Sequence, residues 1–147
     1  MRAEQAPAAA PEAPWPEAGR RRVLVVDDNE DAAEVLAEFL RAAGHDVTVA
    51  HDGASALEEA DRCLPDVVLL DIGLPGIDGY EVARRLRAEG RAPGALLVAV
   101  SGYGREEDRA RSREAGFALH LTKPVDLDTL ARAVAPRGAP DALAGPR

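Results

Sequence analysis

The sequence predicts an α/β protein in which five parallel strands form one sheet with helices on both faces. Short apolar runs of strand length alternate along the chain with segments of helical periodicity, and acids, a serine or a lysine stand at or just after most of the strand-like runs. Parallel neighbours need a crossover connection, usually a helix that covers the sheet. The alternation is therefore typical of a sheet between two helical layers.

Five segments have the length and composition of β-strands. Continuous apolar runs predict the first, third and fourth strands, because a strand covered on both faces has no polar side. Alternating apolar and polar residues predict the second strand, and a shorter apolar segment predicts the fifth. In chain order the predicted strands are 22–27, 46–50, 67–71, 95–101 and 117–121.

The segments between the strands have helical spacing of apolar residues. In the first of them Val35, Leu36, Phe39 and Leu40 lie on one helical face, acids occupy the first turn and Gly44 ends the helix. The segment 105–114 has helical composition without a large apolar residue, which predicts a poorly anchored helix or simply a solvated face. The predicted helices are 29–43, 54–62, 78–89, 105–114 and a last one that carries Leu127, Leu130 and Val134.

The composition indicates one domain with two tails. Residues 1–20 are rich in Ala, Pro and Glu and predict a disordered arm or linker, 21–136 form the folded domain, and 137–147 predict a flexible tail. A net charge of −8 argues against nucleic acid or an anionic membrane as the main partner. The sequence has a single cysteine, no apolar run of membrane-spanning length and no secretory signal. We therefore expect the protein to be located in the reducing cytoplasm.

Polar residues at the carboxyl ends of the predicted strands are expected to meet in one crevice, where such sheets bind ligands. They are Asp27, Asp28, Asp71, Ser101 and Lys123. Three carboxylates that meet need a cation, and oxygen ligands favour Mg²⁺ or Mn²⁺. Asp71 is placed to attack phosphorus and form an aspartyl phosphate. The Lys123 ammonium and the Ser101 hydroxyl would then contact the phosphoryl oxygens.

Each of these residues also has an ordinary structural explanation. The run Asp27-Asp28-Asn29 would suit an N-cap of the first helix, with acids that favour the helix dipole. Asp71 would suit a turn, Ser101 a loop start and Lys123 a surface position. However, Lys123 is the only lysine beside 17 arginines, which is compatible with a site that a planar guanidinium does not fit. The joint occurrence of these residues at strand ends favours a functional site.

Four segments carry a resemblance to a known family. They are VLVVDDNE (23–30), DVVLLDIGLPGIDGYEV (66–82), VAVSGYG (98–104) and LTKPVD (121–126). Over 21–136 the chain resembles the receiver domains of response regulators in two-component signalling. The resemblance implies the CheY-like, flavodoxin-like three-layer sandwich, with strand order 2-1-3-4-5 and five helices.

The resemblance also implies how the site works. Asp71 would accept a phosphoryl group from a histidine kinase or a histidine phosphotransfer protein. Asp28, Asp71 and the Gly73 carbonyl would bind Mg²⁺ directly, with Asp27 acting through water. Lys123 would pair with the phosphoryl group and precede Pro124 in a cis peptide bond.

Three positions bear on how the resemblance applies to this chain. Gly73 and Tyr103 resemble the variable positions that set phosphate lifetime, and His120 stands where the family has Tyr or Phe as a switch. We expect Ser101 to move toward a phosphorylated Asp71, so that the His120 ring swings from outside to inside. The face formed by the fourth helix, fifth strand and fifth helix would then change for a downstream protein target or a phosphorylation-dependent homodimer.

Three alternatives remain open at this point. An aspartate-nucleophile phosphatase would need a second acid two residues after Asp71, where Gly73 stands. A flavin-binding module would need a phosphate loop after the first strand, where acids stand. A pseudo-receiver that is never phosphorylated would act as an interaction module. The folded pattern leaves no output domain, so both a free-standing receiver and a piece of a hybrid sensor kinase are compatible with the sequence.

Overall fold

The structure is a computed structural model that describes residues 20–102 and 106–135. The arm predicted for 1–20 lies outside the described residues except for Arg20, and so do Tyr103 and the tail predicted for 137–147. Within the described ranges, no helix has the length and apolar character needed to cross a bilayer.

Five parallel strands form one sheet in the order β2-β1-β3-β4-β5, which confirms the predicted fold class. The strands are β1 (Arg22–Val26), β2 (Asp46–Ala50), β3 (Val67–Asp71), β4 (Leu96–Ser101) and β5 (Leu119–Thr122). The helices are α1 (Glu30–Ala42), α2 (Gly53–Cys63), α3 (Gly79–Ala88), α4 (Glu106–Ala115) and α5 (Leu127–Val134).

The continuous apolar strands contribute side chains to two separate hydrophobic cores, because successive side chains point to opposite faces of the sheet. In β1, Val23 and Val25 pack with Leu40 of α1 and Leu130 of α5, whereas Leu24 and Val26 pack on the other face. That second face is covered by α2, α3 and the end of α4. Burial on both faces explains why β3 has no exposed residue at all.

The fifth strand begins two residues later than the sequence predicts, at Leu119 rather than Phe117. The chain is still turning at Gly116, where φ is 105°, and the Phe117 N–H donates to the Ser112 carbonyl at the end of α4. The Phe117 ring instead packs edge-on against Tyr80, with 6.4 Å between ring centroids. The apolar character of Phe117 therefore reflects core packing before the strand.

Helix α4 is anchored by small residues rather than by large apolar ones. Ser112 and Ala115 are buried at 1% and 3% exposure, and the Arg111 guanidinium lies 4.2 Å from the centre of the Tyr80 ring on α3. The sequence shows that this helix has no large apolar residue, but it does not predict these contacts. Among the described side chains, the contacts that hold α4 therefore include the close approach of these small residues and the cation–π contact of Arg111.

Candidate functional site

The site lies at the carboxyl ends of the three central strands and of β5. Asp27 follows β1, Asp71 ends β3 and Ser101 ends β4, and all three are buried. Lys123 follows β5, and its backbone N–H donates to the Ser101 carbonyl at 2.7 Å, which extends the pairing of β4 and β5 by one residue. The topology therefore brings these polar residues to one end of the sheet.

Three carboxylates meet at this end. Oxygens of Asp27, Asp28 and Asp71 all lie within 4.8 Å of one another, with Asp28 exposed and the other two buried. Burial, together with the nearby Asp71 carboxylate, raises the pKa of Asp27 even though the Asn29 N–H and Lys123 act in the opposite direction. Such a cluster needs positive charge to remain ionised.

The N-cap of α1 is Asn29, not one of the two acids. The Asn29 side chain accepts from the Ala32 N–H at 3.0 Å, while Asp27 Oδ1 accepts from the Asn29 N–H at 2.9 Å. The predicted N-cap is therefore supplied by Asn29, and Asp27 holds the backbone of that cap residue.

Lys123 bridges two of the carboxylates. Its Nζ lies 3.2 Å from Asp71 Oδ2 and 3.4 Å from Asp27 Oδ2, and the side chain is about one third exposed. Partial burial would lower the pKa of Lys123, but the two carboxylates outweigh it and raise the pKa overall. The ammonium is thus charged and stands beside the Asp71 carboxylate.

The loop after β3 is held in place by Gly79, which the sequence analysis did not single out. A Cβ at Gly79 would lie 2.4 Å from Ile72 Cα and 2.7 Å from the Asp71 carbonyl oxygen, so α3 begins directly against the backbone behind Asp71. Asp78 caps the helix by accepting from the Glu81 N–H at 2.9 Å. The Asp78-Gly79 pair at the helix start is a sequence signal for this close packing. Glycine has low helix propensity, so its presence there indicates another reason, such as lack of space for a side chain.

The donors present suit a small divalent cation. Carboxylate oxygens from β1 and β3 converge, and the Gly73 N–H donates to Asp71 Oδ1 at 2.8 Å, which fixes the orientation of that carboxylate. Oxygen-only sites of this kind bind Mg²⁺ or Mn²⁺ with several waters retained. The carboxylate oxygens at this site are therefore ligands of the type expected for a divalent cation.

His120 on β5 lies between two serine hydroxyls. Its Nε2 is 2.8 Å from Ser101 Oγ, and its Nδ1 is 2.9 Å from Ser112 Oγ on α4. The sequence-based hypothesis expected a ring that starts outside and swings inward. The structure shows instead a ring already turned inward and engaged through both nitrogens.

Two further features surround the site. The peptide bond between Lys123 and Pro124 is cis. Beside it, α1 and the loop before α5 enclose a mainly apolar groove of about 600 Å³, in which Val35 and Leu127 are 60% and 41% exposed. Asp27 and Lys123 line the same groove, so an apolar surface adjoins the charged site directly.

Comparison with known proteins agrees with this geometry. The model of the response regulator receiver domain family matches residues 23–135. The response regulator PleD of Caulobacter vibrioides is 42% identical over 108 residues, which is 71% of this chain and 23% of PleD. Two curated relatives, PleD and RegX3, match over only 23% and 52% of their own lengths, so the chain spans a quarter to a half of these proteins.

Two solved receiver domains are similar to this chain. The receiver domain of the sensor histidine kinase PA1611 from Pseudomonas aeruginosa, which has magnesium coordinated in its active-site cleft, is 32% identical with a TM-score of 0.71, over 78% of this chain and 93% of that one. The receiver domain of Saccharomyces cerevisiae Ssk1, in complex with the histidine phosphotransfer protein Ypd1, is 25% identical with a TM-score of 0.73, over 79% and 87%.

Proposed function

The chain belongs to the response regulator receiver family, and we propose that it accepts a phosphoryl group from a phosphohistidine onto Asp71 in a cytoplasmic phosphorelay. Receiver domains are in general signalling domains rather than enzymes. The only catalysis proposed here is therefore of the chain's own phosphorylation and dephosphorylation. The observation that carries the proposal is the Lys123 ammonium 3.2 Å from Asp71 Oδ2, within a cluster of three carboxylates.

In the proposed transfer, an Asp71 carboxylate oxygen forms a bond to phosphorus as the P–N bond of the phosphohistidine breaks. The bonding electron pair stays with the donor's imidazole nitrogen. Lys123 pairs with the charge on the phosphoryl oxygens, and Ser101 donates its hydroxyl hydrogen to one of them. Asp28, Asp71 and the Gly73 carbonyl would hold Mg²⁺, with Asp27 acting through water, and the ion would supply further charge neutralisation.

The apolar groove beside the site supports docking of a phosphodonor. Val35 and Leu127 are large exposed side chains, and Pro124 extends the same surface to the residue that follows Lys123. A helical kinase or histidine phosphotransfer protein could bury these side chains while it presents its phosphohistidine to Asp71. The Ssk1 receiver forms a complex with a protein of that class.

The proposed output is a change on the face formed by α4, β5 and α5. Ser101 and His120 connect the end of β4 to this face through the contact described above. A downstream protein target or a second phosphorylated copy of the chain would read the change. The net charge of −8 makes a direct nucleic-acid contact an unfavourable alternative.

The rival functions fit the site less well. A phosphatase would need an acid at position 73 to protonate the leaving group, and a flavin phosphate would be repelled by the acids after β1. A pseudo-receiver would not require the combination of three carboxylates and a charged Lys123. The three carboxylates and Lys123, which the proposed phosphorylation would use, support the receiver function over these rivals.

Removal of the divalent cation should slow the phosphorylation of Asp71 strongly. With Mg²⁺ and acetyl phosphate as a small phosphodonor, we expect the intact mass to rise by one phosphoryl group, and we expect chelation of Mg²⁺ to reduce the rate by about 10²-fold, a loss typical of a charge-stabilising group. Addition of Mn²⁺ to the chelated protein should restore the gain in mass. Equal phosphorylation with and without the divalent cation would contradict the proposed role of the acid cluster.

A further inference from the structure

The His120 imidazole links the phosphorylation site to helix α4 by two hydrogen bonds. Ser101 Oγ and Ser112 Oγ lie 2.8 Å and 2.9 Å from its two ring nitrogens, and the two serines are 3% and 1% exposed. The contact spans three elements, from the end of β4 through β5 to the last half of α4. It is therefore a continuous polar connection through a protected part of the molecule.

This connection has a direction because of the chemistry of the imidazole. A neutral imidazole donates through one nitrogen and accepts at the other, whereas a serine hydroxyl can do both. If Nε2 donates to Ser101, then Nδ1 must accept from Ser112. If Nε2 accepts from Ser101, then Nδ1 donates to Ser112. The tautomer of His120 thus fixes how each hydroxyl is used.

We propose that phosphorylation of Asp71 sets the tautomer of His120, and that Ser112 is the positioning residue which passes this change to α4. The proposal rests on the proposed function, in which Ser101 donates its hydrogen to a phosphoryl oxygen. Ser101 Oγ can then only accept from His120, so the hydrogen resides on Nε2. Nδ1 in turn accepts a hydrogen from Ser112, and the chain of hydrogen bonds runs from α4 toward the phosphoryl group.

The part of helix α4 that the structure describes has few apolar contacts that would oppose a shift in its position. Among its described side chains, the inward contacts come from Ser112, Ala115 and the Arg111 guanidinium over Tyr80. A helix with few apolar contacts has little to lose when it shifts. A phenyl ring at position 120 would have no hydrogen bond to Ser112, and a phenol has only one polar atom to share between two serines.

The test is ¹⁵N NMR of the imidazole nitrogens with Mg²⁺ and beryllofluoride as the phosphoryl mimic. The chain has three histidines, and His120→Gln identifies the signals of His120. We expect the mimic to move the hydrogen onto Nε2. In Ser112→Ala, we expect the preference for that tautomer to fall about fivefold, the equivalent of one hydrogen bond worth about 1 kcal/mol. The amide shifts that the mimic induces in 110–115 should shrink with it.

Two further variants separate positioning from a loss of folding. Ala favours helix more than Ser, so Ser112→Ala should stay folded, and Ser112→Thr, which keeps the hydroxyl, should restore the tautomer shift. Ser55→Ala on α2 removes a serine hydroxyl away from His120 and should leave the His120 signals unchanged.

The outcomes distinguish the inference from the function on which it rests. If the amides of 27–28 and 71–73 respond to the mimic but the His120 nitrogens do not, the inference is wrong and the proposed function stands. An equal tautomer shift in Ser112→Ala and the unchanged protein also overturns it. If the site amides do not respond and acetyl phosphate adds no mass, both are wrong.

Discussion

Replacement of Lys123 by Ala is expected to slow phosphorylation of Asp71 by about 10²- to 10³-fold, the loss typical of removing one preorganised charge-stabilising donor. The Lys123 Nζ stands between Asp71 and Asp27, so its loss also leaves the carboxylates without their nearest described cation. Phosphorylation rates with acetyl phosphate and Mg²⁺, followed by intact mass, would measure the effect.

Lys123→Arg separates charge from shape. The guanidinium keeps the positive charge but is planar and bulky. We therefore expect Lys123→Arg to slow the phosphorylation of Asp71 by about tenfold or more relative to the unchanged protein. Arg84→Lys, which exchanges the same two cations at an exposed ion pair with Glu81, is the matched control and should be unaffected. Normal phosphorylation and normal mimic-induced shifts in Lys123→Arg would show that the single lysine has no special role.

Replacement of Gly79 by Ala is expected to destabilise the protein by about 3 kcal/mol, at the upper end of the usual cost of overpacking. Its Cβ would stand 2.4 Å from Ile72 Cα and 2.7 Å from the Asp71 carbonyl oxygen, and neither backbone atom can rotate away as a flexible side chain could. Either α3 or the loop that carries Asp71 must shift. Denaturant unfolding measures the stability, and the phosphorylation rate of Asp71 reports the shift of the loop.

Gly102→Ala is the matched control for Gly79→Ala. Among the residues that the structure describes, no atom lies within 4 Å of a Cβ at Gly102, and Gly102 does not have the positive φ that favours glycine. We expect its stability to stay within about 0.5 kcal/mol of the unchanged protein, as for most surface substitutions. Equal stability of the two variants would mean that α3 does not pack against the loop as closely as the structure shows.

The fold class could be predicted because burial on both faces leaves a strong mark in the sequence. The apolar runs around Val25 and Leu69 have no polar face, and only helices on both sides of the sheet can cover such strands. The order of the strands was available from the family resemblance and not from the residues. The start of β5 was misplaced because Phe117 is apolar for a different reason, its packing against Tyr80.

The members of the site could be predicted because the carboxyl ends of parallel strands meet at one edge. That rule brings Asp27, Asp71 and Lys123 together from positions 44 to 96 residues apart in the sequence. Gly79 and Ser112 could not be found in this way. Their roles depend on how closely α3 approaches the loop after β3 and on where the His120 ring points. The Asp78-Gly79 pair at the start of α3 is a sequence signal for Gly79, whereas residue type and spacing give none for Ser112.

The most direct test of the account is the location of the phosphoryl group. With Mg²⁺ and acetyl phosphate, we expect the protein to gain one acid-stable, base-labile phosphoryl group, as an acyl phosphate should, and fragmentation should place it on Asp71. Asp46→Asn, at the opposite end of the sheet, should gain the same mass, and Asp71→Asn should gain none. Equal labelling of Asp71→Asn and the unchanged protein would contradict the central claim.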